Sequence, residues 1–327
     1  MNNKIAFITS NPKAPASEMY WDALKNISNI SFFDGLTDLT EFDVALVMTY
    51  DHHLIKKIKI AHPDVKVAII DPRNHSVFQS AKLCDFLVLD SIEMEDYWRR
   101  VDIPIFRYSE YPSFPEVKKV HKKKDKIKIG YHGNKIHLAC MYKTVTPALT
   151  ELGEKYNLEL MVMYNGKAPS CDEIWYPKNV KVTHIQWSKD NYLNELSECD
   201  IGISPNSLPF RENPPYAHEL QNGVNYSPDD YILRFKMPTN PGRILVFGKL
   251  GIPTIAGFYP SAFEVLSDGR GFSCRTKDAW RFNLEKLIQD HKLRQTVSNK
   301  FQHFIREKFD FSKQNERFLK FLKDEII

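Results

Sequence analysis

Short apolar runs recur along this chain with helix-like stretches between them, and the whole alternation happens twice. The first set of strand-like runs lies at 4–10 (KIAFITS), 42–49 (FDVALVMT), 65–70 (VKVAII), 85–90 (DFLVLD) and 103–108 (IPIFRY). Helix-like segments fall between them, near 17–27, 52–61, 76–83 and 91–100. Strands apolar on both faces need cover on both faces, so this pattern predicts a parallel sheet with helices on either side. The alternation restarts with 126–133 (KIKIGYHG) and continues at 158–164, 180–185, 199–204, 252–257 and 271–275. Helices are expected there at 138–156, 189–197, 241–250, 260–267, 277–289, 291–308 and 312–325. A chain of 327 residues has room for two such cores.

Between the two sets, Ser109 to Lys126 lapses into prolines and then lysines, with seven lysines and a histidine from Lys118 to Lys128. This stretch reads as an interdomain linker, placing domains at 1–108 and 127–308, a linker at 109–126 and a final helix at 309–327. The lysine run is either a solvated charge run or a surface for an anionic membrane or phosphorylated acceptor. One further interval breaks the rhythm. Pro205 to Pro238 is rich in Pro, Asn and Tyr and too long for an ordinary connection. Its five aromatic residues favour a loop that lines a cleft or meets a partner over a bare spacer.

Charge and cysteine usage narrow the function classes. A net charge of +4 is mild, and no helix-turn-helix, zinc-finger or RRM pattern is present, so nucleic acid is not an expected partner. The five cysteines are scattered without a CxxC pair, which suits reduced thiols in a cytoplasmic compartment and neither a disulfide frame nor a zinc site. With no signal-peptide pattern at MNNKIAFITSNP and no span-length apolar run, a soluble protein is expected, at most held peripherally at a membrane.

The strongest local signal for chemistry is YILRFKMPTNPGRILVFGKLG, 231–251. Thr239 and Asn240 are good N-cap residues, Pro241 suits a first helical turn, and Gly251 supplies a left-handed stop. A helix start presents free backbone N–H groups at the positive end of a dipole, here with Lys236 and Arg243 nearby in sequence. That combination suits a diphosphate. An ordinary helix with basic residues in solvent is the alternative.

Four segments carry a resemblance to a known family. They are IKIGYHGN (127–134), IQWSKDNYLNELSECDIGISP (185–205), FKMPTNPGRILVFGKLGIPTIA (235–256) and EVLSDGRGF (264–272). In this order they resemble the donor domain of glycosyltransferase family 4 within the GT-B fold. The resemblance implies two Rossmann-like, doubly wound parallel-sheet domains facing across a cleft, with C-terminal helices returning toward the first. It also implies a hexosyltransferase-like enzyme that moves a sugar from a nucleotide-diphosphate donor to a glycan, lipid-linked or small acceptor. Retention of configuration and no metal or other cofactor are part of that expectation; no Asp-x-Asp motif is present. The first half of the chain matches only in its alternation and is the expected acceptor side.

Carried over residue by residue, the resemblance makes Arg243 and Lys236 the phosphate ligands, helped by the backbone of Asn240 and Gly242. Gly133 and Asn134 would approach the phosphates, with Lys135 nearby. Trp187 falls where the nucleobase would lie, or is a core tryptophan. Glu264 would bond the sugar or ribose, or merely support its helix. On the acceptor side, Asp71, Arg73 and His75 follow a strand end, and His75, Asp71 and His132 are the candidate bases or acceptor anchors. The family's pair of glutamates eight residues apart is missing: Val246 and Pro238 stand in those places. Other GT-B chemistry (polyol-phosphate transfer, epimerisation) and a catalytically silent glycan- or partner-binding scaffold are the competing readings. Oligomeric state has no signature in the sequence.

Overall fold

The computed structural model describes residues 3–48, 51–72, 77–166, 176–206 and 240–327. His75, Arg73, Lys236, the side chain of Lys135 and the interval beyond Asn206 up to Thr239 lie outside the described residues. The chain divides into two compact units. The first runs to Phe114 and takes back the residues just before Arg243 and Glu307–Ile327; the second begins at Pro115 and includes Arg243–Arg306.

The first unit holds six parallel strands: β1 (Ile5–Thr9), β2 (Ile30–Asp34), β3 (Val44–Met48), β4 (Lys66–Ile70), β5 (Phe86–Leu89) and β6 (Ile105–Arg107), in the order β2-β1-β3-β4-β5-β6. Side chains alternate between faces with period two. Ile5, Phe7, Val44 and Leu46 therefore enter one core, and Ala6, Ile8, Ala45 and Val47 the other. The helix Phe311–Phe321 helps cover the first of these faces, with Phe318 packed on Phe86 (6.4 Å) and Phe106 (5.2 Å). Hydrogen bonds sew it in place: Tyr108 Oη to Asn315 Oδ1 (2.8 Å), Ser109 N to Gln314 Oε1 (2.9 Å) and Asn315 Nδ2 to Ala23 O (2.9 Å).

β2 escapes the sequence reading. It is an edge strand, ISFFD, with no fully buried residue, so it lacks the continuous apolar signal of its neighbours. The expected helix at 76–83 shrinks to Phe78–Ala81.

The second unit also holds six parallel strands: β7 (Lys126–His132), β8 (Asn157–Tyr164), β9 (Lys181–Gln186), β10 (Ile201–Ser204), β11 (Thr254–Gly257) and β12 (Phe272–Cys274). Their order is β12-β11-β10-β7-β8-β9. Counted from β7 this is the 3-2-1-4-5-6 order of dinucleotide-binding folds, which reverses direction between β7 and β10. The single helix expected at 138–156 is instead a 3-10 turn, Lys135–Met141, followed by the helix Val145–Gly153. The helices Lys277–Gln289 and His291–Lys308 fall where the pattern put them.

Residues 115–125 lie along this second unit. Val117 N bonds Lys249 O (2.9 Å), His121 Nε2 donates to Gly251 O (2.8 Å), and Lys124 pairs with buried Asp200 (2.6 Å). Among the described residues, no helix is long and apolar enough to cross a membrane.

Candidate active site

In an open parallel sheet the loops beyond the strand ends diverge where the strand order reverses, and that leaves a crevice. In the second unit the reversal falls between the carboxyl ends of β7 and β10. β7 ends at His132 and leads into Gly133 and Asn134; β10 leads into Pro205 and Asn206. Arg243, on the helix Gly242–Lys249, reaches this point. Its Nη1 donates to Asn206 Oδ1 at 3.2 Å.

Three close approaches hold that helix where it is. A Cβ on Gly202 would lie 2.5 Å from Phe247 Cγ, so the Phe247 ring rests directly on β10. His132 sets its ring edge-on to Phe247 (centroids 4.9 Å) and bonds the carbonyl of Arg243 through Nε2 (3.1 Å). Gly248, on the same helix, leaves space for Phe301, whose Cε1 would be 2.6 Å from an added Cβ.

Gly133 has φ +139°, and an added Cβ would meet Arg243 Cδ at 2.7 Å. Its N–H is given to Met163 O (3.1 Å). The glycine expected to approach a ligand instead makes room for the arginine. Asn134 is exposed beside it, its carbonyl taking the Tyr131 hydroxyl at 2.6 Å.

Around the guanidinium, burial sets the charge states. His132 is pushed down to about 4 by burial and further by the charge of Arg243, so it is neutral near pH 7 and carries its proton on Nε2. Burial and Arg243 together hold His137 well below the usual histidine range, and burial raises the Tyr131 hydroxyl. His132, expected as a base or acceptor anchor, is thus a neutral donor clamping the start of the helix. Asn206 is 1% exposed, and its Nδ2 has no partner among the described residues. Gly257 is required beside it, since an added Cβ would lie 1.7 Å from Asn206 O.

Trp187 sits at the carboxyl end of β9, half-buried against Tyr192 (6.0 Å), and so is not a core tryptophan. Two strand spacings separate β9 from β7, about 10 Å. Glu264 is on the helix Pro260–Leu266 after β11. The turn behind it is pinned by Arg270, which bonds Glu264 O (2.8 Å), Val265 O (3.0 Å) and Asp268 Oδ2 (3.0 Å) and stacks on Phe304 (3.8 Å).

Within the first unit, Asp71 follows β4 in a left-handed conformation (φ +52°), which aspartate tolerates, and is buried. Asn240 uses both ends of its amide: Oδ1 takes the N–H of Gly242 (2.5 Å), and Nδ2 donates to buried Glu110 (2.6 Å). Gly242 is pressed on the carbonyl of Glu110, 2.7 Å from an added Cβ. These two residues, expected at the phosphates, serve as cap and close contact. Sequence reasoning missed Asn206, Glu110 and His137. Asn206 alone had a usable signal, falling one residue past the quoted 185–205 segment.

The two strand orders and a whole-length match define a GT-B fold, two Rossmann-like sheets in one chain. No family model and no curated protein matches the sequence. Among solved structures, Anabaena HepE, crystallised with UDP and glucose, is similar with TM-score 0.60 at 11% identity over 98% of this chain and 100% of that one. A point mutant of S. aureus TarM, in complex with fondaparinux, α-GlcNAc-glycerol and UDP, is similar with TM-score 0.58 at 10% identity over 85% of this chain. This chain spans 54% of the TarM chain. The N-terminal domain of Candida albicans trehalose-6-phosphate phosphatase is similar with TM-score 0.59 at 9% identity over 100% of this chain and 98% of that one.

Proposed function

We propose that this protein is a glycosyltransferase that moves a sugar from a nucleotide-diphosphate donor to a glycan, lipid-linked or small acceptor. The carrying observation is Arg243, held over Gly133 at the strand-order reversal of the second sheet and bonded to buried Asn206. As the glycosidic bond breaks, negative charge builds on the departing diphosphate. A positioned guanidinium can chelate those oxygens, and the helix start adds the partial charge of its N–H groups. With these groups in place the transfer needs no metal, and the family resemblance favours retention of configuration. Lys236 is the second phosphate ligand in this reading, Trp187 the nucleobase platform and Glu264 a sugar or ribose contact. Asp71 and His75 remain the candidates on the acceptor side. The complexes of HepE and TarM make UDP the first nucleotide to try and a glycan the first acceptor. The scattered cysteines favour a reducing, cytoplasmic setting.

A thermal-shift screen of UDP, GDP, ADP, CDP and their sugar conjugates, with and without EDTA, tests this. A ligand that binds only the folded state raises the melting temperature with its concentration. One nucleotide family shifting the transition equally with EDTA is the expected result, followed by retained anomeric configuration in the NMR spectrum of the product. No shift with any of them sinks the donor site.

A catalytically silent GT-B scaffold is the second reading. Its support is Val246, 1% exposed in the core at the place where the family's second glutamate would stand. A nucleotide shift without transfer or hydrolysis of any donor would favour it.

A further inference from the structure

At the amino-terminal end of the second sheet lies a cavity of about 160 Å3, the volume of roughly five waters. Lys123, Lys124, Asp125, Tyr156, His291 and Arg294 line it. β7 runs seven residues from this end to His132, so the cavity is about 20 Å from the Gly133 loop.

Arg294 is 1% exposed. Its Nη1 donates to the carbonyls of Leu287 (2.5 Å) and Ile288 (3.2 Å), and its Nη2 to Lys122 O (2.8 Å). Those bonds explain a donor there, because the last carbonyls of the helix Lys277–Gln289 need partners. They do not explain a charge. All three acceptors are neutral, no carboxylate pairs with Arg294 among the described residues, and its Nε–H has no acceptor there. Burial draws its pKa below the usual arginine range, against the more distant charges of Asp200 and Asp290. Asp200 is already engaged by Lys124 (2.6 Å) and by the N–H of Lys128 (3.0 Å). A buried cation without a counter-charge is costly, and an anion in the cavity would offset that cost.

Elsewhere in the lining, Lys123 is exposed and makes no ion pair among the described residues, Lys124 is spent on Asp200, and Asp125 is an opposing carboxylate. The geometry points to a second anion site, separate from the one at Arg243, that takes a single phosphate-sized dianion: inorganic phosphate or the phosphate end of a small monoester. The Arg294 guanidinium and the Lys123 ammonium supply the charge, and His291 a further donor. The volume admits a phosphate with a few waters.

The test uses the full chain carrying Arg243→Ala, so that the other phosphate site is disabled. Inorganic phosphate and glycerol phosphate are titrated separately by calorimetry at constant ionic strength, with melting temperature as a second readout. Lys124→Gln is avoided because it would strand buried Asp200; Lys123→Gln with His291→Gln leaves the buried contacts intact. One saturable site is expected, weakened at least roughly tenfold in that double variant with its melting curve unchanged in the absence of ligand. Equal affinity for the two probes identifies the phosphate group as the whole determinant, and tighter glycerol phosphate identifies a monoester as the ligand. Absence of saturable binding by either probe, or binding indifferent to the double variant, overturns the proposal.

Discussion

The Cβ that Gly133 lacks would lie 2.7 Å from Cδ of Arg243. Gly133→Ala therefore acts twice, through that contact and through the cost of a side chain at φ +139°. The alanine variant is expected to lose about 1–3 kcal/mol of stability and to displace the guanidinium. Nucleotide affinity, measured by calorimetry, should fall at least roughly tenfold while the far-ultraviolet circular dichroism is kept. Full affinity in the alanine variant would show that Arg243 does not need this placement.

Arg243 itself separates two uses of charge. Arg243→Ala is expected to weaken nucleotide binding by more than roughly tenfold and leave the fold intact. Arg243→Lys restores a positive charge but not the planar fork, so it should recover only part of that loss. Identical affinities for the lysine and arginine forms would mean that bidentate contact is not used.

His132 gives a pH signature. Its folded pKa of about 4 lies below the unfolded value near 6.5, so between these values the unfolded chain binds the extra proton. Stability from this site is complete above pH 6.5 and is lost as pH falls toward about 4, by at most about 3 kcal/mol. Melting temperatures from pH 7 to 4.5 should fall less steeply for His132→Gln than for the natural chain. Parallel curves would remove His132 as a source of the acid sensitivity.

Phe318 tests the packing of the first unit. Phe318→Ala removes a buried ring that sits on Phe86 and Phe106, and about 3–5 kcal/mol of stability should go with it. Two units need not melt together, so calorimetry should show the loss in one transition and not the other. A uniform shift of both would contradict the division at Phe114.

Much of the fold was legible because buried parallel strands are apolar on both faces. The five runs from KIAFITS to IPIFRY each contain a strand, whereas β2 did not announce itself, since an edge strand with no fully buried residue has no need of a continuous apolar run. The 138–156 segment carried a helical pattern through Lys143 and Thr144, and the marker of the break is Pro147, which a helix interior disfavours and the first turn of Val145–Gly153 accepts. At the site, Arg243 was legible from the cap chemistry around it. Its surroundings were not, because Asn206 and His132 come from strand ends far away in sequence, and which atom each offers depends on packing. Asn240 shows the same limit: a good N-cap residue by type, its amide is also spent on Glu110, 130 residues away.

The return of the helix Phe311–Phe321 to the first sheet bears on the order in which the molecule can be made. A ribosome releases Phe86 and Tyr108 long before it releases Phe318 and Leu322, so the part of that face not covered by Tyr20, Ala23 and Leu24 waits with its apolar side chains exposed while the whole of the second unit emerges. The second unit ends at Arg306 and contains its own core, so it can close first although it is encoded later. In a released chain truncated before Phe311, protease resistance should therefore begin at Pro115 and not at the amino terminus.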